Sequence, residues 1–328
     1  MSEVPPPPPR RLFDWRILPL VMATAIVLWL LIRHLVGVDA FLATVVRARL
    51  GLVAIAVGVL AVDLGVAVLR WQLILRAMSY PVSFMRCAHA VLAVWPLALM
   101  VPARAGDVLR AAAVRDKVPF LEGAGSVVAE KLLDIQSLCI LSIVGTLLHG
   151  LYRWTLVPAG VLVAEWVVVI LLVRYREAAL RRGALARFAT SGTQLLAALD
   201  ALLRSPRYLA GALIASVAAW LLSCLILYVL LAATDAGVGF GLTLSLWPIA
   251  VFAGLLPVTV AGMGTRDAAF VFALRASSDV PVREESILAA TLGFSLVATW
   301  LLAVVGLPFA IRFALHAPVQ PNARTNHG

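Results

Sequence analysis

Long apolar runs, separated by short polar or arginine-rich stretches, dominate the chain. Eight runs occur, near residues 17–36, 50–75, 87–101, 124–150, 155–173, 208–233, 243–261 and 286–312. Several approach the roughly 20 residues that a helix needs to cross a bilayer core of about 30 Å. The pattern therefore predicts an all-α, polytopic membrane protein with a transmembrane domain over residues 16–313.

Two of the runs are interrupted by proline. The run 87–101 contains a Trp-Pro pair at 95–96, and the run 243–261 contains another at 247–248. Proline removes a helical hydrogen bond, and irregular backbone at membrane depth persists only where protein or a water-filled cavity covers it. We therefore expect about six full transmembrane helices and two re-entrant or broken helical segments.

The two broken runs resemble each other. Each continues into a small-residue turn with an arginine and an aspartate, which are Arg104 and Asp107 in the first and Arg266 and Asp267 in the second. Two discontinuous helices of opposite orientation are typical of inverted-repeat transporters with a binding site near the membrane midplane. An inverted repeat is one interpretation, and chance similarity between two short, gapped stretches is the other.

Arginine clusters indicate which loops face the cytoplasm. The connector 174–207 carries seven arginines, and three more precede the first apolar run. The positive-inside rule assigns both regions to the cytoplasm, which requires that one of the five runs before residue 174 not cross the membrane. The short, proline-containing run 87–101 is the candidate, as a segment that returns to the side from which it entered. Leu195, Leu199 and Leu202 recur at helical spacing in the connector, so we expect an amphipathic helix on the cytoplasmic leaflet.

Composition and charge narrow the class of protein. Hydrophobic residues make up 62% of the chain, charged residues 13%, and the mean hydropathy is +1.00. The formal net charge of +10 favours an anionic lipid surface, and not nucleic acid, as the partner of a membrane protein. The three cysteines and five histidines lack metal-binding spacings, so no cofactor is expected. We expect a multi-pass protein of the bacterial inner membrane, with a disordered, proline-rich cytoplasmic leader over 1–15 and a disordered tail over 314–328.

The first candidate site follows the first broken run. Gly106 permits close backbone approach, Arg104 and Arg110 supply positive charge for a phosphate head group, and Asp107 lies between them. The alternative is an ordinary cytoplasmic loop whose arginines only obey the topology rule.

Acidic residues within the apolar runs are costly and need partners. Glu130 and Asp134 lie one helical turn apart. They are either proton carriers or counter-ions of Arg104 and Arg110, or they pair with Lys131 and fix helix packing. Asp63 belongs to the same polar cluster or pairs with Arg70, and Glu165 is a further buried acid.

The second candidate site follows the second broken run. Gly262 and Gly264 allow an irregular turn, Thr265 is the expected N-cap, and Arg266 with Asp267 opens the next helix. The same phosphate-binding chemistry is expected here.

Four stretches carry a resemblance to a known family. They are Arg70-Trp71, 102–110 (PARAGDVLR), 130–134 (EKLLD) and 256–267 (LPVTVAGMGTRD). Together, over about 200 residues, they resemble the lysylphosphatidylglycerol synthase transmembrane-region family, also called flippase-like membrane proteins. Arg266-Asp267 departs from the Arg-Glu that the family often has, which keeps the charge but shortens its reach.

The resemblance implies re-entrant helices and, in bifunctional members, flipping of aminoacylated phosphatidylglycerol. The chain stops soon after its last apolar run, so we expect no soluble aminoacyl-transfer domain and no enzymatic activity. The expected function is to bind and move an anionic lipid or a polyprenyl-phosphate-linked head group. A membrane-embedded transferase and a non-catalytic scaffold for cell-envelope biosynthesis enzymes are the alternatives. The expected binding residues are Arg104, Gly106, Asp107, Arg110, Glu130, Asp134, Gly262, Gly264, Arg266 and Asp267.

Overall fold

The computed structural model describes residues 18–99, 102–181, 186–256, 258–277 and 283–316. Every regular element in these ranges is helical, which confirms the predicted all-α fold. The helices are α1 (Leu18–Leu30), α2 (Val38–Arg47), α3 (Leu50–Ala77), α4 (Phe84–Ala98), α5 (Arg110–Ala113), α6 (Phe120–Leu148), α7 (Tyr152–Arg181), α8 (Ala186–Arg204), α9 (Pro206–Ala233), α10 (Phe240–Gly254), α11 (Thr265–Ser277), α12 (Glu284–Ser295) and α13 (Leu302–His316). The predicted leader, and the predicted tail beyond residue 316, lie outside the described residues.

Four helices in the described ranges are long and apolar enough to cross a membrane. They are Leu50–Ala77, Tyr152–Leu171, Pro206–Ala233 and the continuous helix Glu284–Leu315. A fifth results if the bent pair Val21–Arg33 and Val38–Arg47, which meet at 91°, forms one span. At 1.5 Å per residue, a helix of 28 residues such as α3 extends about 42 Å, more than a hydrocarbon core requires. A multi-pass membrane protein is supported, and the count of six crossings stays a prediction.

Contacts between helix termini define two ends of the bundle. At one end, the Arg49 N–H donates to the Ala233 carbonyl at 3.0 Å, and the Arg49 side chain pairs with Asp235 at 2.8 Å. At the other end, the Tyr80 hydroxyl donates to Glu122 at 2.6 Å. α3 and α9 pack along each other between these ends. We refer to them as the Arg49 end and the Tyr80 end.

α4 and the segment after it enter and leave the bundle at the Tyr80 end. α4 has 15 residues and contains Pro96. Near its start, the Arg86 guanidinium pairs with Asp116, which follows α5, and Cys87 shares a buried cluster with Val114. The chain therefore turns back after α4.

α10 and α11 form a corresponding segment, which enters the bundle from the Arg49 end and returns to it. We call each of these two segments an excursion. α10 also has 15 residues and continues through Pro248, as α4 continues through Pro96, so the predicted interruptions at the two Trp-Pro pairs are wrong. The turn before α10 is joined to the start of α12, where the Arg283 guanidinium donates to the Asp235 carbonyl at 3.4 Å and the Thr234 hydroxyl donates to the Ser286 carbonyl at 2.9 Å. This excursion begins and finishes at the same end of the bundle.

The largest apolar core surrounds the α10–α11 excursion. Trp247 and Phe270 are fully buried there, with ring centroids 5.4 Å apart in an edge-to-face arrangement. Phe294 of α12 packs on Trp247 at 4.9 Å. Such aromatic pairs add about 0.5–1.5 kcal/mol each beyond their area burial, so the core holds α10 and α11 firmly against α12.

The predicted amphipathic connector helix forms as α8. Its Ala198 and Leu202 are buried against Ile74 and Leu133 of the bundle. Protein, and not the leaflet, covers this part of its apolar face. The Leu195 side chain lies outside the described residues.

Candidate functional site

The two broken helices are followed by irregular turns that contact each other. A 3-10 turn covers Pro102–Leu109 after α4, and a shorter turn covers Val260–Gly262 after α10. The two turns pack together, and Gly106 and Gly262 are buried within them. The structure thus brings together the two stretches that the sequence predicted to bind the lipid head group.

The second turn requires its glycines. Ala261, Gly262 and Gly264 have φ values of 52°, 74° and 90°, a left-handed region that glycine adopts without steric cost. A Cβ atom on Gly262 would lie 2.7 Å from the Gly254 carbonyl oxygen. The Val260 N–H donates to the Thr24 hydroxyl of α1 at 2.7 Å, so α1 covers this turn.

Arg266 lies in a pocket built from α10 and α12. Its guanidinium carbon is 4.9 Å from the Trp247 ring centre and 5.1 Å from that of Phe294. It donates to the Ser295 hydroxyl at 2.6 Å. Cation–π contacts of this kind contribute about 0.5–2 kcal/mol each when the cation is shielded from water. These residues and Asp267 are called the Arg266 cluster below.

Asp267 caps the start of α11. Its Oδ2 accepts the Gly264 N–H at 2.8 Å. The prediction that Thr265 is the N-cap is wrong. The Thr265 hydroxyl donates to the Gly262 carbonyl at 3.2 Å, and the side chain that accepts a backbone N–H at this terminus is that of Asp267. The other oxygen of Asp267 lies 3.6 Å from Arg266, too far for a hydrogen bond.

Two buried polar groups of the Arg266 cluster have no hydrogen-bond partner among the described residues. They are the Trp247 indole N–H and the Asp267 Oδ1. Unpaired polar groups of this kind cost about 1–3 kcal/mol each. A ligand oxygen would satisfy the Trp247 N–H, whereas Asp267 Oδ1 needs a donor, and the Arg266 guanidinium lies 3.6 Å from it.

A second cluster consists of Arg70, Arg110, Glu130 and Asp134, and is called the Glu130 cluster. Arg70 donates to Glu130 and to Asp134, and Arg110 donates to the other oxygen of Glu130. All four residues are buried. Two positive charges therefore face two negative charges, which is the condition under which buried ions are tolerated.

Neighbouring helices support the Glu130 cluster. The Trp220 indole donates to Asp134 at 2.9 Å, and the Ser216 hydroxyl donates to it at 3.2 Å. The Arg110 guanidinium carbon lies 4.6 Å from the Trp71 ring centre, and the Trp71 indole donates to Ser126 at 2.9 Å. These contacts hold the acids and arginines in fixed positions.

Asp107 ties the first turn to α6. Its carboxylate pairs with Lys131 at 2.7 Å, and Lys131 lies 3.9 Å from Asp134. The turn and the Glu130 cluster are therefore linked. The side chain of Arg104 lies outside the described residues.

The sequence analysis does not assign Arg70 to the Glu130 cluster. It treats Arg70 only as a partner of Asp63, whereas Arg70 pairs with Glu130 and Asp134. None of the described ion pairs includes Asp63, which lies two turns before Arg70 on α3. The sequence feature that could have identified Arg70 as a site residue is the Arg70-Trp71 stretch, which is one of the four that carry the family resemblance.

Glu165 is buried, as expected, in α7. Neither of its carboxylate oxygens has a hydrogen-bond partner among the described residues. In the same ranges, no group of three or more His, Cys, Asp and Glu side chains is placed to hold a metal ion.

Comparison with protein families gives one match. The family model described as the lysylphosphatidylglycerol synthase TM region matches residues 16–306, which include both broken helices and both clusters. Comparison with curated proteins gives no match.

Proposed function

Since the chain belongs to the family of the lysylphosphatidylglycerol synthase TM region, we propose that it binds an anionic lipid, or a polyprenyl-phosphate-linked head group, and moves it across the inner membrane. The contact between the turns of the two broken helices carries the proposal. Paired half-helices that meet inside a membrane form the substrate sites of many transporters.

In the proposed topology, α4 and α10 are re-entrant and enter the bilayer from opposite sides. The Tyr80 end faces the cytoplasm, because Arg76, Arg86, Arg115 and Lys117 lie there and the positive-inside rule favours that orientation. The bent first segment, α3, α6, α7, α9 and the α12–α13 helix supply six crossings. The two turns then meet within the membrane.

Arg266 is the proposed contact for the head-group phosphate. A guanidinium suits phosphate because its N–H donors match two oxygens at once. The indole N–H of Trp247 supplies a further donor in the same cluster. Arg104, on the adjoining turn, is proposed as a second contact on the basis of its position in the chain.

The acids are proposed to regulate the charge that the lipid meets. Arg110 is engaged by Glu130, so a phosphate reaches Arg110 only by displacing that carboxylate or after Glu130 gains a proton. Asp107, Asp134 and Asp267 compensate the remaining positive charges. Of the two routes to Arg110, only protonation of Glu130 would couple lipid binding to a proton.

The test is movement of labelled lipid in liposomes that contain the purified protein. A membrane-impermeant reductant reports how fast fluorescent phosphatidylglycerol in the inner leaflet becomes accessible. We expect Arg266→Ala and Glu130→Gln to slow this rate at least tenfold, and Arg266→Lys, which keeps the charge but loses the planar donors, to retain part of it.

The matched control is Arg275→Ala. Arg275 lies on the same helix as Arg266 but is exposed and pairs with Glu284, so its loss should leave lipid movement unchanged. Normal movement in folded Arg266→Ala protein would contradict the proposal. A folded protein that moves no tested anionic lipid would favour the scaffold, and dependence on a divalent metal would favour a transferase.

A further inference from the structure

A cavity at the Tyr80 end lies apart from both clusters. It has a volume of about 570 Å³ and is formed where the first turns of α4 meet the last turns of α13. Its charged and polar lining comes from Ser83, Arg86, His89 and Arg312. None of the lining residues in the described part of the chain is acidic.

The start of α4 adds partial positive charge to the cavity. Ser83 is the N-cap residue of this helix, and its side chain makes no capping hydrogen bond. The first N–H groups of a helix have no partner within the helix and favour an anion. Two arginines and this helix terminus therefore converge on the same space.

Arg86 can reorient toward the cavity at little cost. It pairs with Asp116, but the two side chains are 43% and 49% exposed. Exposed ion pairs contribute about 0–1 kcal/mol. An anion in the cavity can therefore compete with Asp116 for this guanidinium.

The other walls of the cavity are apolar. Phe309 and Phe313 of α13 and Met85 of α4 line it, and the Phe309 ring packs on His89 with centroids 5.3 Å apart. A free phosphate ion gains nothing from these aromatic walls, whereas the glycerol and acyl portions of a lipid do. The combined lining matches an amphipathic anion.

We propose that this cavity binds an anionic phospholipid from the cytoplasmic leaflet, with the phosphate between Arg86 and Arg312 and an acyl chain along Phe309 and Phe313. The site is separate from the Arg266 cluster, and it does not require that the protein move lipids. It rests on one part of the proposed topology, namely that the Tyr80 end lies at the cytoplasmic surface of the membrane.

The test is protection of a thiol placed at the cavity. Ser83→Cys is labelled with a neutral maleimide in nanodiscs of phosphatidylcholine, with or without phosphatidylglycerol. Lys117→Cys, at the same end but outside the cavity lining, corrects for changes in surface potential. The native thiols Cys87, Cys139 and Cys224 are buried. We expect phosphatidylglycerol to slow labelling of Ser83→Cys about fivefold or more relative to Lys117→Cys.

Removing the arginines should abolish the protection. At subsaturating phosphatidylglycerol, Arg86→Gln and Arg312→Gln should each weaken lipid protection roughly fivefold, since a juxtamembrane arginine contributes about 1 kcal/mol toward an anionic lipid. Arg275→Gln, at the other end of the bundle, is the matched control and should change nothing. The substituted side chains are exposed, so folding should be preserved.

The outcomes separate the sources of the anion. Equal protection by inorganic phosphate in pure phosphatidylcholine nanodiscs would overturn the lipid assignment in favour of a soluble anion. Protection that survives loss of both arginines, or no protection at all, would overturn the site. Lipid movement is measured on the same variants to keep the two proposals distinct. A variant at Arg86 or Arg312 that loses protection but moves lipid normally leaves the proposed role of the Arg266 cluster unchanged.

Discussion

Arg70 holds the Glu130 cluster together, because its guanidinium contacts both Glu130 and Asp134. Removing it would leave Glu130 with Arg110 and Asp134 with the half-exposed Lys131, 3.9 Å away, as the remaining counter-charges. We expect Arg70→Met to lower the free energy of unfolding by about 3–5 kcal/mol, the usual cost of breaking a buried ion pair from one side. Thermal unfolding in detergent measures the loss.

The control for this substitution is Arg49→Met. The Arg49–Asp235 pair has side chains that are 63% and 59% exposed, so its loss should cost less than about 1 kcal/mol. Equal, small effects of both substitutions would mean that the Glu130 cluster contributes little to stability.

Glu165 presents the opposite case, since its buried carboxylate lacks a hydrogen-bond partner among the described residues. We expect Glu165→Met to raise the free energy of unfolding by about 1–3 kcal/mol, the cost of an unsatisfied buried polar group. Glu130→Met is the comparison, because Glu130 is also buried but is paired, and it should be destabilising. A lower melting temperature for Glu165→Met would indicate a partner for this carboxylate.

At the scale of residues, only part of the site could be predicted from the sequence. The acids 130 and 134 stood out because charge is expensive within apolar runs, and the arginines 110 and 266 stood out because they follow the small-residue turns after the runs 87–101 and 243–261. Their pairing did not follow, because Arg70 lies 60 and 64 positions from its two partners. Spacing within a run carries no information on the register between two helices.

At the scale of elements, the second turn depends on glycine for its backbone path. Gly262 has a φ of 74°, and a Cβ there would lie 2.7 Å from the Gly254 carbonyl oxygen. We expect Gly262→Ala to cost about 1–3 kcal/mol of strain and to slow lipid movement by displacing Arg266. Melting temperature and the liposome assay measure the two effects.

A matched glycine in a regular helix gives the control. Gly58 lies in α3, and a Cβ atom added there would meet nothing within 4 Å. Gly58→Ala should therefore stabilise the protein by up to about 1 kcal/mol. A harmless Gly262→Ala would show that the turn tolerates other backbone paths.

The two short helices were predictable in place but not in detail. The structure has α4 and α10 over the runs 87–101 and 243–261, but both helices continue through Pro96 and Pro248. A proline near the end of a helix is tolerated where neighbouring protein covers the freed backbone groups. The contact between the two turns was expected only from the inverted-repeat interpretation, since it joins parts of the chain about 150 residues apart.

At the scale of the whole molecule, the two excursions make the topology testable by thiol labelling. Single cysteines are placed at Ser83 and Lys117, before and after the first excursion, and at Gly239 and Arg283, before and after the second. All four positions are exposed. We expect the first pair to react with an impermeant maleimide only from the cytoplasmic side, and the second pair only from the opposite side.

This labelling pattern tests the membrane arrangement independently of any lipid assay. If α4 crossed the bilayer, Ser83→Cys and Lys117→Cys would react from opposite sides, and the Arg86–Asp116 pair that joins their neighbourhoods could not form. Opposite-sided labelling of Gly239→Cys and Arg283→Cys would make α10 a crossing in the same way. Same-sided labelling within each pair, together with the short lengths of α4 and α10, supports turns that end inside the protein, which is the arrangement that lets two half-helices share one lipid site.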